Sequence, residues 1–160
     1  MTVVTPADPA HVEALAVLAE EMDRFYGATE GEPLDLRVRQ INEALFSAPP
    51  AAYALLAWDN DQPVGFASYS LLWPAVGLTQ SLYLKELYVT EVARRAGVGN
   101  LLMRSVFETA VKQDCSRVEW TTDQDNTDAQ AFYELLGVAP NPSKLFYRLE
   151  GVELSNAVES

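Results

Sequence analysis

The sequence predicts one α/β domain, in which a mostly antiparallel, twisted sheet is flanked by helices and contains a central parallel strand pair. Its 160 residues, 49% of them hydrophobic, are enough for a single core without metals or disulfides. Short apolar runs of β character alternate with longer segments of helical period. One strand–helix–strand sequence, over residues 81–122, requires a βαβ crossover. The predicted domain spans residues 1–150, and residues 151–160 are predicted as a tail because they lack periodicity.

Two helices are predicted before the main sheet, after a short β-prone start. Asp8 followed by Pro9 is typical of a helix cap and a first helical residue. Apolar residues then recur at helical spacing, at Val12, Leu15, Leu18, Met22 and Phe25. Residues 27–33 interrupt this pattern, and Asp35 is the predicted cap of a second helix that ends before Pro49.

The central strands are predicted from the segments that connect them. Residues 51–58 and 64–73 are β-prone runs around a polar turn, which predicts an antiparallel hairpin. Residues 81–90 form the next predicted strand, residues 97–114 a helix and residues 117–122 another strand. Because a helix joins them, the strands 81–90 and 117–122 are predicted to be parallel.

The last elements are a helix and a strand. The segment from Thr127 to Gln130 fits a capping box that opens a helix, and Gly137 ends it. Residues 143–149 are predicted to return as a final strand.

Composition excludes several classes of function. A net charge of −12 disfavours nucleic acid and anionic membranes as partners. No apolar run approaches the roughly 20 residues that span a bilayer, and Met1–Pro9 does not resemble a secretory signal. With Cys115 as the only cysteine, a reducing, cytoplasmic location is expected.

The single histidine, His11, is assigned a surface role, and no metal site is predicted because no ligand cluster has suitable spacing.

The most informative candidate functional residues lie where the predicted strand 81–90 leads into the following helix. Gly97 and Gly99 stand at the predicted start of that helix, where small residues allow backbone N–H groups to approach an anion. This predicts a pyrophosphate site, although a tight turn without function explains such glycines equally well. The dinucleotide fingerprint lacks its third glycine, and no P-loop lysine follows.

Two motifs together resemble the GNAT superfamily of acetyltransferases. The first is Arg94-x-x-Gly97-x-Gly99 after the strand 83–89. The second is Asn126, followed by a helix that carries Phe132-Tyr133 and ends in Leu-Gly. The order of elements also resembles that family over nearly the whole chain.

The resemblance implies that the cofactor is acetyl-CoA. The pantetheine arm would pair its amides with the backbone of Leu87 and Val89, and the pyrophosphate would contact the main-chain N–H groups from Arg95 to Asn100. The implied cofactor-binding residues are Leu87, Tyr88, Val89, Arg94, Arg95, Ala96, Gly97, Val98, Gly99, Asn100, Asn126 and Tyr133. For Asn126 a helix-cap role is as well supported as a cofactor contact, and the two are compatible.

Amide formation from a thioester needs a neutral amine, stabilisation of an oxyanion and a proton for the thiolate. Tyr133 is the candidate acid, and its alternative is a structural ring with a satisfied hydroxyl. A backbone N–H near Leu87 is the donor to the acetyl carbonyl that the resemblance implies. Glu86, placed on the face of Leu84 and Tyr88, is either the base, directly or through water, or a carboxylate that orients a cationic amine.

The acceptor is predicted to be the primary amine of a small molecule, polyamine-like, diamine-like or amino-acid-like. Within the superfamily the chain resembles the diamine (spermidine/spermine) acetyltransferases, which implies a homodimer. In that group acidic residues stand at the positions of Lys85 and Glu86, and Lys85 would disfavour a polycation. Glu30 and Glu32 are candidates to compensate, and Trp73 is either a wall of the acceptor site or a packing residue.

Two other functions stay open at this stage. One is acetylation of proteins or peptides, and the other is a catalytically silent module that senses acetyl-CoA or an amine on the same fold. The presence of Tyr133 beside an intact glycine loop favours catalysis.

Overall fold

The computed structural model describes residues 1–159 and divides into two compact units, residues 1–121 and the residues from Thr122 onward. The first unit contains the sheet. Its strands are β1 (Thr2–Pro6), β2 (Tyr53–Asp59), β3 (Gln62–Leu72), β4 (Gln80–Val89) and β5 (Cys115–Glu119). Its helices are α1 (Val12–Phe25), α2 (Leu34–Leu45) and α3 (Val98–Lys112), and the second unit contains α4 (Thr127–Leu135) and α5 (Gly151–Glu159). The prediction of one domain over residues 1–150 stays a prediction.

The strands lie side by side in the order β1-β2-β3-β4-β5. The first three pairs are antiparallel, and β4 and β5 are parallel and joined by α3. This confirms the predicted fold class, with its hairpin and its crossover.

Helices cover both faces of the sheet. One face, called the α1 face, carries a buried cluster formed by Leu15, Leu18, Met22, Leu56, Phe66 and Tyr88. Burying each such side chain contributes about 1.5–3 kcal/mol. On the opposite α3 face, a Cβ atom at Gly65 would lie 2.8 Å from the Tyr88 carbonyl oxygen and 3.2 Å from Leu102 Cδ1. Glycine is therefore required at position 65, because only a residue without a side chain lets β4 and the Leu102 side chain of α3 approach β3 so closely.

A β-bulge in β4 changes which side chains share a face. Ser68 pairs with Glu86 and Tyr69 pairs with Leu84, so Lys85 is the extra residue. Opposite residues of antiparallel strands share a face, and neighbours along a strand alternate. Glu86 therefore lies on the α1 face with Tyr88, and Leu84 lies on the α3 face. The predicted common face of Glu86 and Leu84 is wrong, because strict alternation fails at a bulge.

The first two helices begin differently from the prediction. The Asp8 carboxylate accepts the Ala10 N–H at 2.8 Å as predicted, but the turn that follows is a short 3-10 helix. The second helix begins at Leu34 with Pro33 as its cap, so the assignment of Asp35 as cap is wrong. Pro33 has the extended backbone of a cap residue (ψ 148°), whereas Asp35 lies in the first turn, where its charge complements the helix dipole.

In the second unit, Asn126 caps α4. Its Oδ1 accepts the Ala129 N–H at 3.1 Å, so the cap is Asn126 and the predicted capping box beginning at Thr127 is wrong, because Ala129 has no side chain to return the bond. Gly137, with φ 84°, follows the end of the helix as predicted. The Val138 N–H donates to the Tyr133 carbonyl at 3.2 Å, which satisfies one of the last carbonyls of α4.

The C-terminal prediction fails in two places. Residues 143–149 form no strand, because no other strand pairs with them within residues 1–159. The predicted tail is largely the helix α5, and only Ser160 lies outside the described residues. Its residues include the good helix formers Glu153, Leu154 and Ala157, but nine residues are too few for a clear period. No helix in residues 1–159 has the length and apolar character needed to cross a membrane.

Candidate functional site

The sheet opens between β4 and β5. Their pairing runs only from Gln80 with Cys115 to Tyr83 with Glu119, whereas β4 continues to Val89. In residues 1–159 no strand therefore pairs with the second half of β4 on this side. The opening exposes a row of peptide groups to any ligand that carries amides of its own.

The phase of the β3–β4 ladder shows which peptide groups face this opening. The Thr90 N–H donates to the Val64 carbonyl at 2.9 Å, which marks a hydrogen-bonded pair. Such pairs alternate with non-bonded ones, so the N–H and C=O groups of Leu87 and Val89 point away from β3. These are the residues whose backbone the family resemblance assigns to the pantetheine arm.

The loop after β4 has an unusual backbone. Arg95 has φ 64° and Gly97 has φ 82°, and both values lie in the left-handed region. A Cβ atom placed on Gly97 would meet no heavy atom within 4 Å. Gly97 therefore borders open space, and its conformation, not crowding by the protein, makes glycine the suitable residue.

The start of α3 leaves backbone donors available. The Leu101 N–H is the first to find an acceptor within the helix, donating to the Gly97 carbonyl at 3.1 Å. No side chain caps this helix at Gly97. The N–H groups of Val98, Gly99 and Asn100 therefore point outward at the positive end of the helix dipole. This arrangement fits a pyrophosphate, and the exposed guanidinium of Arg95 adds a positive charge nearby.

The side chain of Arg94 is engaged by the protein itself. Its guanidinium lies 4.0 Å from the centre of the Phe25 ring, and its Nε donates to the Val89 carbonyl at 3.0 Å. Beside it, the Tyr88 hydroxyl donates to Glu21 Oε2 at 2.8 Å. Burial, and then this hydrogen bond, raise the pKa of Tyr88 to about 12. Arg94 and Tyr88 thus connect the end of β4 to α1, and their side chains position the loop.

Several polar side chains lie on the α1 face next to the opening. Glu86 is half-buried there, and Tyr83 and Glu119 lie on the same face because they are paired in the parallel register. Ser81 Oγ donates to Glu119 Oε1 at 2.6 Å. Sequence reasoning missed Glu119, because its place beside Tyr83 depends on the register of β5, which no local pattern reveals.

The other predicted acceptor residues are dispersed. Lys85 is exposed at the bulge. Glu32 and Glu30 lie in the loop between α1 and α2, where Glu32 Oε2 is 3.6 Å from Nη2 of the buried Arg37. Trp73 follows the end of β3, about five residues and so roughly 17 Å along the sheet from the level of Glu86. Its Nε1 donates to the Leu78 carbonyl at 2.9 Å, so Trp73 is held within its own loop.

The second unit carries the remaining predicted site residues. Tyr133 lies on α4, half-buried, with its ring edge-on to Phe132 at 5.4 Å between centroids. Asn126 caps the same helix through its Oδ1, which leaves the two N–H donors of its amide for another partner.

Two residues that the sequence set aside have structural surroundings. His11 accepts the Asp8 N–H at 3.2 Å and contacts the Trp58 ring. Burial raises the pKa of Cys115, the first residue of β5, so its thiol is a poor nucleophile at neutral pH.

Comparison with known proteins shows which family the chain matches. The profile of the acetyltransferase (GNAT) family matches residues 14–138. A D-amino-acid N-acetyltransferase of Saccharomyces cerevisiae is 34% identical over 62% of this chain and 62% of its own length. An aminoglycoside N(6')-acetyltransferase of Serratia marcescens is 33% identical over 74% of this chain and 82% of its own. An L-ornithine N5-acetyltransferase of Arabidopsis thaliana is 37% identical over 49% of this chain, which spans only 35% of that longer enzyme.

One solved structure has the same fold over nearly the full chain. An integron cassette protein from the mobile metagenome of V. cholerae superposes with a TM-score of 0.91 at 28% identity, covering 99% of this chain and 98% of that one. The profile match extends over more than half of the residues and includes both motifs at the open edge of β4 and on α4. The chain therefore belongs to the acetyltransferase (GNAT) family, whose members are acyltransferases that use acetyl-CoA as the acetyl donor.

Proposed function

We propose that this chain is an acetyl-CoA-dependent N-acetyltransferase that transfers an acetyl group to the primary amine of a small molecule by direct attack on the thioester. The observation that carries the proposal is the opening between β4 and β5, which leads into a loop with outward N–H groups. The first feature suits a chain of amides and the second suits a pyrophosphate, and coenzyme A contains both.

The cofactor would lie along this edge. The backbone groups of Leu87 and Val89 hold the pantetheine amides, with Tyr88 between them fixing the strand through Glu21. The N–H groups from Arg95 to Asn100 hold the pyrophosphate, while Arg94 positions the loop through Phe25. When bound, acetyl-CoA supplies the activated acetyl group as a thioester. Asn126 adds a side-chain contact through its amide.

Three groups of the chain then share the chemistry. The Leu87 N–H donates to the carbonyl oxygen of the acetyl group, where negative charge develops. Glu86 accepts the proton of the incoming ammonium, directly or through water, or holds that cation in place. Tyr133 gives its phenolic proton to the departing sulfur. The sequence resemblance supports the role of Tyr133, and the register of β4 supports the positions of Leu87 and Glu86.

The acceptor fits a small molecule with both an amine and a negative group. Glu86 and Glu119 supply negative charge on the α1 face, which suits the amine. Lys85 supplies a positive charge one residue away, which suits a carboxylate and disfavours a polycation. The yeast relative is named for D-amino acids and the plant relative for ornithine, and both acceptors carry an amine and a carboxylate. None of the three relatives is a diamine acetyltransferase by name, and we therefore propose an amino-acid-like acceptor.

Replacing Lys85 tests this specificity. In Lys85→Glu, we expect kcat/KM for spermidine, relative to that for amino acids, to rise about 5- to 30-fold. The reason is that one charge reversal beside a half-buried site changes the interaction by about 1–2 kcal/mol. Arg39→Glu, the same charge change at an exposed position of α2, is the control. An unchanged ratio, or a wild type that acetylates spermidine near the diffusion limit of about 10⁸ M⁻¹s⁻¹, would contradict the assignment.

We further propose that the protein acts in the cytoplasm as a homodimer and that residues 1–150 form one acetyltransferase domain. The cytoplasmic location rests on the single cysteine, Cys115, which is reduced in that compartment. The homodimer rests on the resemblance to the diamine acetyltransferases.

One assay tests the function as a whole. Release of free thiol from acetyl-CoA is measured with polyamines, diamines, amino acids, aminoglycosides and peptides as acceptors. We expect the highest kcat/KM with an amino-acid-like amine. Turnover with peptides alone would support a protein acetyltransferase. Tight binding of acetyl-CoA in calorimetry without turnover on any acceptor would support a silent sensor, and either result would overturn the proposal.

A further inference from the structure

A buried arginine lies between the first two helices of the sheet unit. The Arg37 side chain on α2 is only 7% exposed, although a charge is costly to remove from water. Ile41 and Leu45 follow it at helical spacing, and both pack against the buried cluster of the α1 face. Arg37 therefore stands in the inward stripe of α2, where an apolar residue is the usual choice.

The Arg37 guanidinium is held by groups of α1 and of the loop that follows it. Its Nη1 donates to the Ala16 carbonyl at 3.3 Å, and its Nη2 donates to Asp23 Oδ2 at 3.1 Å. Glu32 Oε2, in the loop, lies 3.6 Å from the same Nη2. Arg37 thus connects α2 both to α1 and to the loop.

Stability of the core does not explain an arginine at this position. Its Nε is buried and has no hydrogen-bond partner within residues 1–159, which is a further cost. Replacing a buried ion pair by an apolar side chain of similar size is often neutral or stabilising. The side chains of Asp23 and Glu32 are 47% and 58% exposed, so water can hydrate both without Arg37. What Arg37 contributes is therefore the conformation of the segment that it holds.

The loop between α1 and α2, residues 26–33, has few other attachments. All of its residues are exposed, and within residues 1–159 no backbone group of residues 29–32 has a hydrogen-bond partner. The backbone at Gly31 lies against the guanidinium, since a Cβ atom there would be 3.1 Å from Arg37 Nη2. The middle of the loop is therefore held by Arg37, through the Glu32 carboxylate and the close approach of Gly31.

The same loop leaves α1 next to the proposed acceptor site. Phe25 is the last residue of α1, and the centre of its ring lies 6.3 Å from that of Tyr88. Tyr88 and Glu86 are alternate residues of β4 and share the α1 face. The loop thus begins close to the carboxylate proposed to take the incoming amine, so its conformation shapes the space that the acceptor enters.

We propose that Arg37 is a positioning residue for acceptor binding, and that it acts by holding the loop 26–33 in place through Glu32. Neither side chain contacts the acceptor, because their ion pair serves only to keep the loop in its receiving conformation. When fewer molecules have the loop in place, the apparent affinity for the acceptor falls in proportion. The inference rests on the proposed function, since it needs an acceptor beside Glu86.

The first experiment is steady-state kinetics of Arg37→Met, with L-ornithine as the acceptor probe and saturating acetyl-CoA. Methionine fills the inward position without a charge, and thermal melts check folding. We expect KM for ornithine to rise at least about tenfold, with kcat and the Kd for acetyl-CoA within about twofold of wild type. Arg39→Met is the control, because it makes the same change at an exposed position of α2. An unchanged KM, or a loss confined to kcat, would contradict the proposal.

A double-mutant cycle with Glu32→Gln distinguishes a loop contact from a direct contact with the acceptor. If Glu32 acts through Arg37, both substitutions break one ion pair, and the double variant should have the KM of Arg37→Met alone. Additive increases in KM would show that Glu32 binds the acceptor independently, and the proposal would be wrong. Because the Glu32 side chain is 58% exposed, Glu32→Gln alone still tests the predicted rise in KM if Arg37→Met unfolds.

Proteolysis reports the loop without any acceptor. The endoprotease Glu-C cleaves after glutamate, and Glu30 is exposed in the loop. We expect cleavage after Glu30 to be at least about fivefold faster in Arg37→Met and Glu32→Gln, and unchanged in Arg39→Met, because cleavage follows the population of the open loop. Faster cleavage with an unchanged KM would overturn this inference while the acetyltransferase proposal stands. A wild type that acetylates no amine would overturn both.

Discussion

Tyr133→Phe is expected to lower kcat by about 10²–10⁴-fold while acetyl-CoA affinity and folding stay close to wild type. A general acid contributes a factor of this size, and phenylalanine retains the ring but has no proton to give. The ring packs edge-on against Phe132 within α4, and phenylalanine can keep that contact. Steady-state kinetics with saturating acetyl-CoA measure the effect directly.

A structural tyrosine would respond differently to the same change. Losing a hydrogen-bonded hydroxyl lowers the free energy of unfolding by about 1 kcal/mol and leaves turnover nearly unchanged. Thermal melts of the same preparation separate the two cases. Tyr53→Phe is the control, since it removes a hydroxyl from a ring stacked on Tyr69 at 5.3 Å and has no proposed role in catalysis. If Tyr133→Phe retains wild-type turnover, water or another residue protonates the sulfur and our assignment is wrong.

The sequence was sufficient for the architecture because each strand and helix of the sheet unit has its own local pattern. The turn between β2 and β3 and the crossover through α3 are encoded in residues that are close in sequence. Because such crossover connections are right-handed, few sheet topologies are then possible. The glycine loop was predictable for the same reason, since Gly97 must adopt a left-handed φ of 82° where α3 begins.

Features that depend on register were not predictable. The bulge at Lys85 moves Glu86 to the face opposite Leu84, and alternation in sequence cannot reveal one inserted residue. The position of Glu119 beside Tyr83 depends on where β5 pairs with β4, over a sequence separation of more than 30 residues. Pairings of this kind are fixed by packing in the folded chain, not by local propensity.

Residues 143–149 show a different limit. They are rich in apolar and aromatic residues, yet no other strand pairs with them within residues 1–159, so the predicted final strand is wrong. A local pattern can indicate strand character, but it does not supply the neighbouring strand that a β-ladder needs.

Gly97→Val is expected to raise the Kd for acetyl-CoA at least about 100-fold. A residue with a Cβ atom is strained at φ 82° by about 1–2 kcal/mol, and a β-branched one by more, so the loop must move. The N–H groups of Val98, Gly99 and Asn100 then turn away from the pyrophosphate. Losing two such hydrogen bonds to a charged group removes about 3–6 kcal/mol, and each 1.4 kcal/mol is a factor of about ten in Kd.

Gly77→Val is the matched control for strain. Gly77 has φ 66° in the loop between β3 and β4, and a Cβ atom there also meets nothing within 4 Å. Both variants should therefore lose similar stability in thermal melts, and Gly77→Val alone should keep wild-type acetyl-CoA affinity in titration calorimetry. Because the two substitutions have the same strain at different places, the difference in Kd reports the loop itself. Unchanged acetyl-CoA affinity in a folded Gly97→Val protein would contradict the assignment of the pyrophosphate to the start of α3. An equal loss of acetyl-CoA affinity in both variants would show that the effect comes from reduced stability alone.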